Sequence, residues 1–182
     1  MDRPDSQPTS PLEILRRLEN LLRLGTVAEV DHEAARCRVR TGNLTTNWGP
    51  WLSLRAGGPN GRQWWAPVVG EQCLLLSPGG DLANAVTLCG IACDPMPAGS
   101  ASPTECRTDW SATDHLTHDR AGGDLVIECA RSITLRVGAT VLRLTPDGAT
   151  ITPDLVAADR VSLVQHVHTE VRKGQDNTGA PL

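Results

Sequence analysis

Near the C-terminal end the chain reads "VQHVHTEVRK", a stretch holding two of its five histidines, His166 and His168, with one valine between them. Residues two apart on an extended strand project from the same face, so the two imidazoles would sit side by side. On one chain such a pair is a poor metal site, and the plain reading is two exposed histidines near a frayed end. Were three copies of the strand to converge on an axis, six imidazole nitrogens would meet at one point. That octahedral, all-nitrogen set suits a first-row transition ion rather than magnesium or calcium, and is too crowded for tetrahedral zinc.

Two other groups of reactive side chains invite the same question. "DHLTHD" (Asp114, His115, His118, Asp119) looks like a ligand cluster on paper, but no helical pattern surrounds it, and it reads as a surface loop. Glu128, flanked by apolar residues, reads as an outward strand position. Sugar-polymer hydrolysis would need an inserted segment carrying paired carboxylates, and the short linker at residues 94–104 leaves no room for one. No catalytic residue is assigned, and an enzyme is not expected. The six cysteines, Cys37, Cys73, Cys89, Cys93, Cys106 and Cys129, lack C-x-x-C spacing and read as reduced, mostly buried small apolar residues.

The elements that must carry these groups differ between the two halves. Residues 1–9 are polar and Pro-containing, a flexible leader. "SPLEILRRLENLLR" then offers Ser10 as N-cap, Pro11 at the first helical position and Glu13 to complete a capping box, with leucines at helical spacing. From Leu24 the period becomes two. "LGTVAEV" and "CRVRT" form a hairpin with Arg36, Arg38 and Arg40 on one face and Cys37 and Val39 on the other. "RQWWA", "EQCLLLS" and "AVTLCGI" supply three more strands between Gly, Pro and Asn punctuation, which suggests a five-stranded OB-type barrel. The chain has five Trp and no Phe or Tyr, and the tryptophans read as core anchors of this half.

After the linker the material changes. "DLVIECA", "SITLRVG", "TVLRLTPDG", "ATITPD" and "RVSLV" are short segments whose alternate residues are Leu125/Ile127/Cys129, Ile133/Leu135/Val137, Leu142/Leu144, Ala149/Ile151 and Val161/Leu163. Such a stretch has one narrow aliphatic face and almost no interior of its own, so copies must share a core. Three chains wound about an axis would bury those faces, each Leu or Ile contributing roughly 1.5–3 kcal/mol.

The net charge of −4 argues against a general attraction to nucleic acid or an anionic membrane surface. No stretch approaches the roughly 18 continuous apolar residues of a membrane span, and the N-terminus is too polar for a secretory signal, so synthesis and assembly in the cytoplasm are expected. The alternative function weighed against a structural one is single-stranded nucleic-acid binding, since the arginine row with Trp64 and Trp65 imitates a basic, aromatic platform.

In this order, "TGNLTTNWGPWLSLRAG", "RQWWAPVVGEQCLLLSPGGD", the linker, the aliphatic repeats and the terminal H-x-H resemble the contractile-tail spike proteins of the phage baseplate assembly protein V family, found in R-type pyocins and temperate contractile-tailed phages. The resemblance covers nearly the whole chain from about Leu24, although the final "RKGQDNTGAPL" is more charged than the glycine-rich ends of that family. It implies an all-β homotrimer: leader and helix at 1–23, an OB-fold barrel at 24–95, a transition at 96–123, a triple-stranded β-helix at 124–163 and a metal-binding apex at 164–182. By the same resemblance His166 and His168 hold one structural iron per trimer on the three-fold axis. The partners implied are the tail tube, the baseplate hub and the outer membrane of a target bacterium, pierced on sheath contraction, with no nucleic acid and no small-molecule substrate.

Overall fold

The computed structural model describes residues 10–167 and Gly174, in two compact units, Met1–Ala98 and Gly99–Leu182. Among the described residues, the regular structure in both is β-sheet apart from one α-helix and three single-turn 3₁₀ helices in the first unit.

The first unit opens with helix α1 (Pro11–Leu21). Ser10 Oγ accepts from the Glu13 amide at 3.2 Å, as an N-cap should. The expected return half of the capping box is replaced: the Glu13 carboxylate is taken by Arg16 and Arg17, at 2.7 Å each, one helical turn on. Hydrogen bonds from Arg16 and then Arg17 pull the Glu13 carboxyl down to about 2.

Five strands follow: β1 (Leu22–Asp31), β2 (Arg36–Thr41), β3 (Leu44–Thr45), β4 (Gln72–Leu76) and β5 (Val86–Ile91), ordered β3-β2-β1-β4-β5 and antiparallel throughout. The segment from Gly49 to Trp51 joins the two sides of the sheet. Gly49 exchanges backbone hydrogen bonds with Cys37 of β2 at 2.9 and 3.0 Å, and Thr87 of β5 donates to Pro50 O at 2.9 Å and accepts from the Leu52 amide at 2.7 Å. These bonds cover edges that would otherwise be open for pairing.

The "RQWWA" segment is not one of the five strands. Only Arg62 makes a β-bridge, to Ala56, and Trp64 and Trp65 are both exposed, so no inward-outward alternation exists to bury one face. The two-residue β3 takes its place in the count. The alternation of β2 is as the sequence predicts, with Cys37, Val39 and Thr41 buried and the arginines outside.

A small set of side chains fills the interior: Val27, Cys37, Val39, Cys73, Leu75 and Ala85, with Val30, Trp51, Leu82 and Cys89 packed on it. A bulge between Val27 and Glu29 resets the phase of β1 so that the strand keeps facing this core. Gly25 is required by the close approach of β2, since a Cβ there would lie 2.9 Å from Arg40 O. The tryptophans are not the anchors that composition suggests. Trp51 alone packs on the core, edge-on to Trp64 at 5.5 Å, whereas Trp48, Trp64, Trp65 and Trp110 are all about half exposed. Short strands enclose a space that Val, Leu and Cys already fill, and the bulky indoles remain on connecting segments. The cysteines are free, and burial pushes the thiols of Cys73 and Cys89 up to about 11 and 12, which keeps them unreactive.

In the second unit, β6 (Glu105–Asp109), β7 (His115–Asp119) and β8 (Asp124–Glu128) form one antiparallel meander. Strands β9 (Ile133–Val137), β10 (Thr140–Thr145) and β11 (Gly148–Thr152) form a second, and β12 (Val156–Ala157) with β13 (Val161–Ser162) a hairpin. Residues read from composition as a transition thus already contain two paired strands, and each strand pairs with its sequence neighbour.

The registers sort side chains by face. Across the second meander Leu135, Leu142 and Ile151 stand in one row and Ile133, Leu144 and Ala149 in the row two residues along, on the same face. Across the first, Leu116 and Ile127 share a face with Leu125, while Arg107, His115 and Glu128 occupy the other. On that polar face Arg107 is paired with Asp109 at 2.7 Å and Glu105 at 3.6 Å. Among the described residues of the second unit, no layer covers the aliphatic faces. Leu125, Ile127, Leu135 and Leu144 are between 41% and 63% exposed, and among the described residues the second unit contains no fully buried hydrophobic side chain.

The core assignment predicts a contrast between two leucines of the first unit. Leu75→Ala should lose about 2–5 kcal/mol of stability in chemical denaturation. Leu54→Ala, at a side chain 85% exposed, should change it by less than about 0.5 kcal/mol.

Candidate functional site

Strands β12 and β13 are joined by a turn in which Ala158 and Asp159 both have positive φ, at 50° and 55°, and Arg160 N donates to Ala157 O at 3.1 Å. This is the twist-matched geometry of a tight hairpin, built without glycine. It brings the chain back alongside Asp154, and Leu163 N donates to Leu155 O at 2.8 Å.

Asp154 is the organising side chain. Its carboxylate accepts from Ser162 Oγ and, at 3.1 Å, from the Val164 amide. Ser162 Oγ in turn accepts from the Gln165 amide at 2.7 Å, and Ser162 O accepts from the His166 amide at 3.1 Å. The result is a tight turn that hands the backbone on to His166. These hydrogen bonds, led by Ser162, hold the Asp154 carboxyl below its ordinary value despite opposing desolvation.

His166 lies at the exit of that turn with its ring exposed to solvent. Its Nδ1 is 3.0 Å from Ser162 O and 3.1 Å from Leu163 O. A carbonyl only accepts, so in these contacts Nδ1 is the donor. Metal-ligating histidines are commonly oriented in this way, with the second ring nitrogen donating to a backbone carbonyl. His168 lies outside the described residues. An exposed histidine whose Nδ1 is directed at backbone carbonyls fits the orientation of a metal-ligating imidazole. Sequence reasoning missed Asp154 and Ser162; the one signal was an aspartate just after Pro153, eight residues before a serine in a turn-rich stretch.

The "DHLTHD" group is a strand, not a surface loop, because the register of β6 and β8 pairs every residue of β7. His115 and His118, three apart, point to opposite faces, and His115 Nε2 is 3.6 Å from the Glu128 carboxylate. Asp114 Oδ1 accepts from the Ala130 amide at 2.8 Å and Asp119 Oδ1 from the Ala121 amide at 3.0 Å. Both carboxyls are held low, chiefly by those backbone bonds; Asp119 forms a local turn, and Asp114 ties the start of β7 to the backbone beyond β8. Among the described residues no three His, Cys, Asp or Glu side chains converge as a metal site within one chain. Glu128 is exposed, as its outward strand position requires.

The arginine row is partly committed to its own barrel. Arg38 is bound to Glu29 at 2.7 Å and to Thr46 O at 3.0 Å, with its guanidinium 5.8 Å from the centre of the Trp48 ring. No helix among the described residues is long and apolar enough to cross a membrane.

Comparison with known proteins places two parts of the chain. Residues 23–91 match the type VI secretion system/phage-baseplate injector OB domain, and residues 160–181 match the GpV apex motif. The Spike protein of Escherichia phage P2 is 48% identical over 90 residues, a segment covering 50% of this chain and 42% of that protein. The aligned segment is thus less than half of the relative's length. The injector OB match coincides with the closed sheet, and the apex match begins at the hairpin that Asp154 organises and includes His166 and His168.

Asp154 makes the turn sensitive to acid. Its folded-state pKa is depressed, so its contribution is complete above the unfolded value of about 3.9 and is lost as pH falls through the lower folded value. Amide exchange at Val164 and Gln165, corrected for intrinsic rates, should accelerate below about pH 4 in the wild type. In Asp154→Ala it should already be fast at neutral pH and show no such step.

Proposed function

We propose that this chain, with an injector OB domain at 23–91 and an apex motif at 160–181, is the central spike of a contractile tail. In this reading it is a homotrimer: the OB unit forms a collar seated on the tail tube and baseplate hub, the second unit forms a stiff, threaded β-needle, and the residues after β13 form the point. Sheath contraction drives the needle through the outer membrane of the target cell. The role is mechanical and includes no catalytic step.

The observation that carries the proposal is the one-sided sheets of the second unit. Their aliphatic faces lie in register over two successive meanders and are left open by their own chain. Three such faces turned toward a common axis would bury one another, and the salt-bridged face of the first meander would remain in water. A triple-stranded β-helix in the second unit is the arrangement expected for copies that interleave in this way.

At the point, His166 and His168 from three chains would supply six imidazole nitrogens to a single iron. When bound, the ion ties together three chain ends where fraying is otherwise greatest, and its binding free energy adds to the stability of the trimer. The turn held by Asp154 and Ser162 orients His166, with Nδ1 directed at Ser162 O.

Two measurements test this reading. Purified protein should have the mass of three chains and contain one iron per trimer, and His166→Ala/His168→Ala should lose the iron while keeping the trimer. A trimer without metal would overturn the apex assignment, and a metal-free monomer the whole proposal. Leu125→Glu/Leu135→Glu places charge on both aliphatic faces and should convert the trimer to monomers in which the first unit, with its own core, stays folded and the second does not. An unchanged trimer mass in that variant would contradict a shared aliphatic core.

A further inference from the structure

Helix α1 is mounted the wrong way round for a helix that merely covers its own barrel. At 100° per residue, Ile14, Leu15, Leu18 and Leu21 fall within one apolar arc of about 120°, and Asn20 sits nearly opposite its centre. The polar side is the one that docks. Asn20 is 7% exposed and accepts from Arg23 at 2.9 Å, while Arg23 also reaches Thr41 of β2. The Arg17 backbone lies so close to Gly80, whose φ is +73°, that a Cβ on that glycine would collide with it. The leucine side faces water, with Leu15 and Leu18 55% and 57% exposed, and Leu22 and Leu24 of β1 continue the apolar surface.

From these features we infer that the apolar face of α1 packs against the same face of other copies of the chain, as a short parallel helical seam at the head of the assembly. This inference rests on the trimeric reading above. The spacing fits: Ile14, Leu18 and Leu21 follow the four-three alternation of a coiled-coil seam, and Leu15 widens the stripe to the three positions per heptad that a bundle of more than two helices uses.

Three further features select a second copy over other occupants. Residues 1–9, "MDRPDSQPT", contain one large apolar side chain, Met1, and cannot cover such a face. A patch of this kind is on the order of a few hundred Å², short of the roughly 800 Å² per partner that an independent interface needs. Copies already joined through the second unit do not need that area, because the tether supplies an effective concentration in the millimolar range. Finally, the two arginines of the helix, Arg16 and Arg17, are spent within it on Glu13. The flanking charged pairs by which coiled-coil partners are usually chosen are therefore missing, which suits an association between tethered copies.

The test uses the full-length chain with a photo-reactive benzoylphenylalanine in place of Leu18. Irradiation should join copies covalently, with adducts mapping to residues 14–22 of a second copy. Adding Leu15→Glu/Leu21→Glu to the same chain should abolish those adducts without changing the three-chain mass, since none of these side chains belongs to the barrel core. A trimer by mass whose adducts lie only within one chain, or that forms none, would overturn the seam and leave the spike reading intact. A monomer by mass would overturn both.

Discussion

An aliphatic face exposed on a thin sheet is the constraint on which the rest of this protein depends. Burial of apolar area is favourable by about 25 cal/mol per Å², and a three-stranded meander with no second layer gains none of it on that face. The second unit consists of two such meanders and a hairpin, with hydrogen bonds satisfied along the strands and the aliphatic rows left open. A sheet of this kind is complete as a ladder and incomplete as a core. The proposed trimer supplies the missing layer with two further copies of the same surface.

The first unit meets the same requirement within one chain. Its sheet is closed by backbone bonds through Gly49, Pro50 and Leu52, and the small interior is filled by Val27, Val39, Leu75 and the cysteines. Closure leaves no long open edge, and the unit can serve as a rigid base. The outward leucines of α1 are one feature of this unit that its own core leaves unexplained, and in the trimeric reading they pack against copies of themselves as the aliphatic rows do.

Around the β12–β13 hairpin the chemistry is local and polar. Asp154, Ser162 and the amides of Val164 and Gln165 form a compact hydrogen-bonded turn that needs no hydrophobic support. A narrow point has no room for a core, so carboxylate-to-amide bonds, and in the proposal a metal ion, take over the work of packing. In the first meander Asp114 and Asp119 likewise accept from backbone amides, those of Ala130 and Ala121.

Much of this was legible from residue types alone. The Ser10-Pro11 helix start, the Cys37/Val39 alternation of β2 and the one-sided aliphatic rows follow from local rules, because capping and a two-residue period depend only on neighbours along the chain. Other features depended on which segments meet. "RQWWA" carries strand-like residues but has no partner strand beside it, so its indoles stay outside the barrel; "DHLTHD" lacks an obvious pattern yet becomes the middle of a sheet because β6 and β8 flank it. Asp154 is eight residues from Ser162 and ten from Val164, and only the hairpin between them brings the carboxylate to both. The sequence by itself determined the periods, the caps and the apolar inventory. Tertiary structure decided pairing, closure and which face each helix and strand turned to water, since those depend on contacts between segments that are not neighbours in the chain.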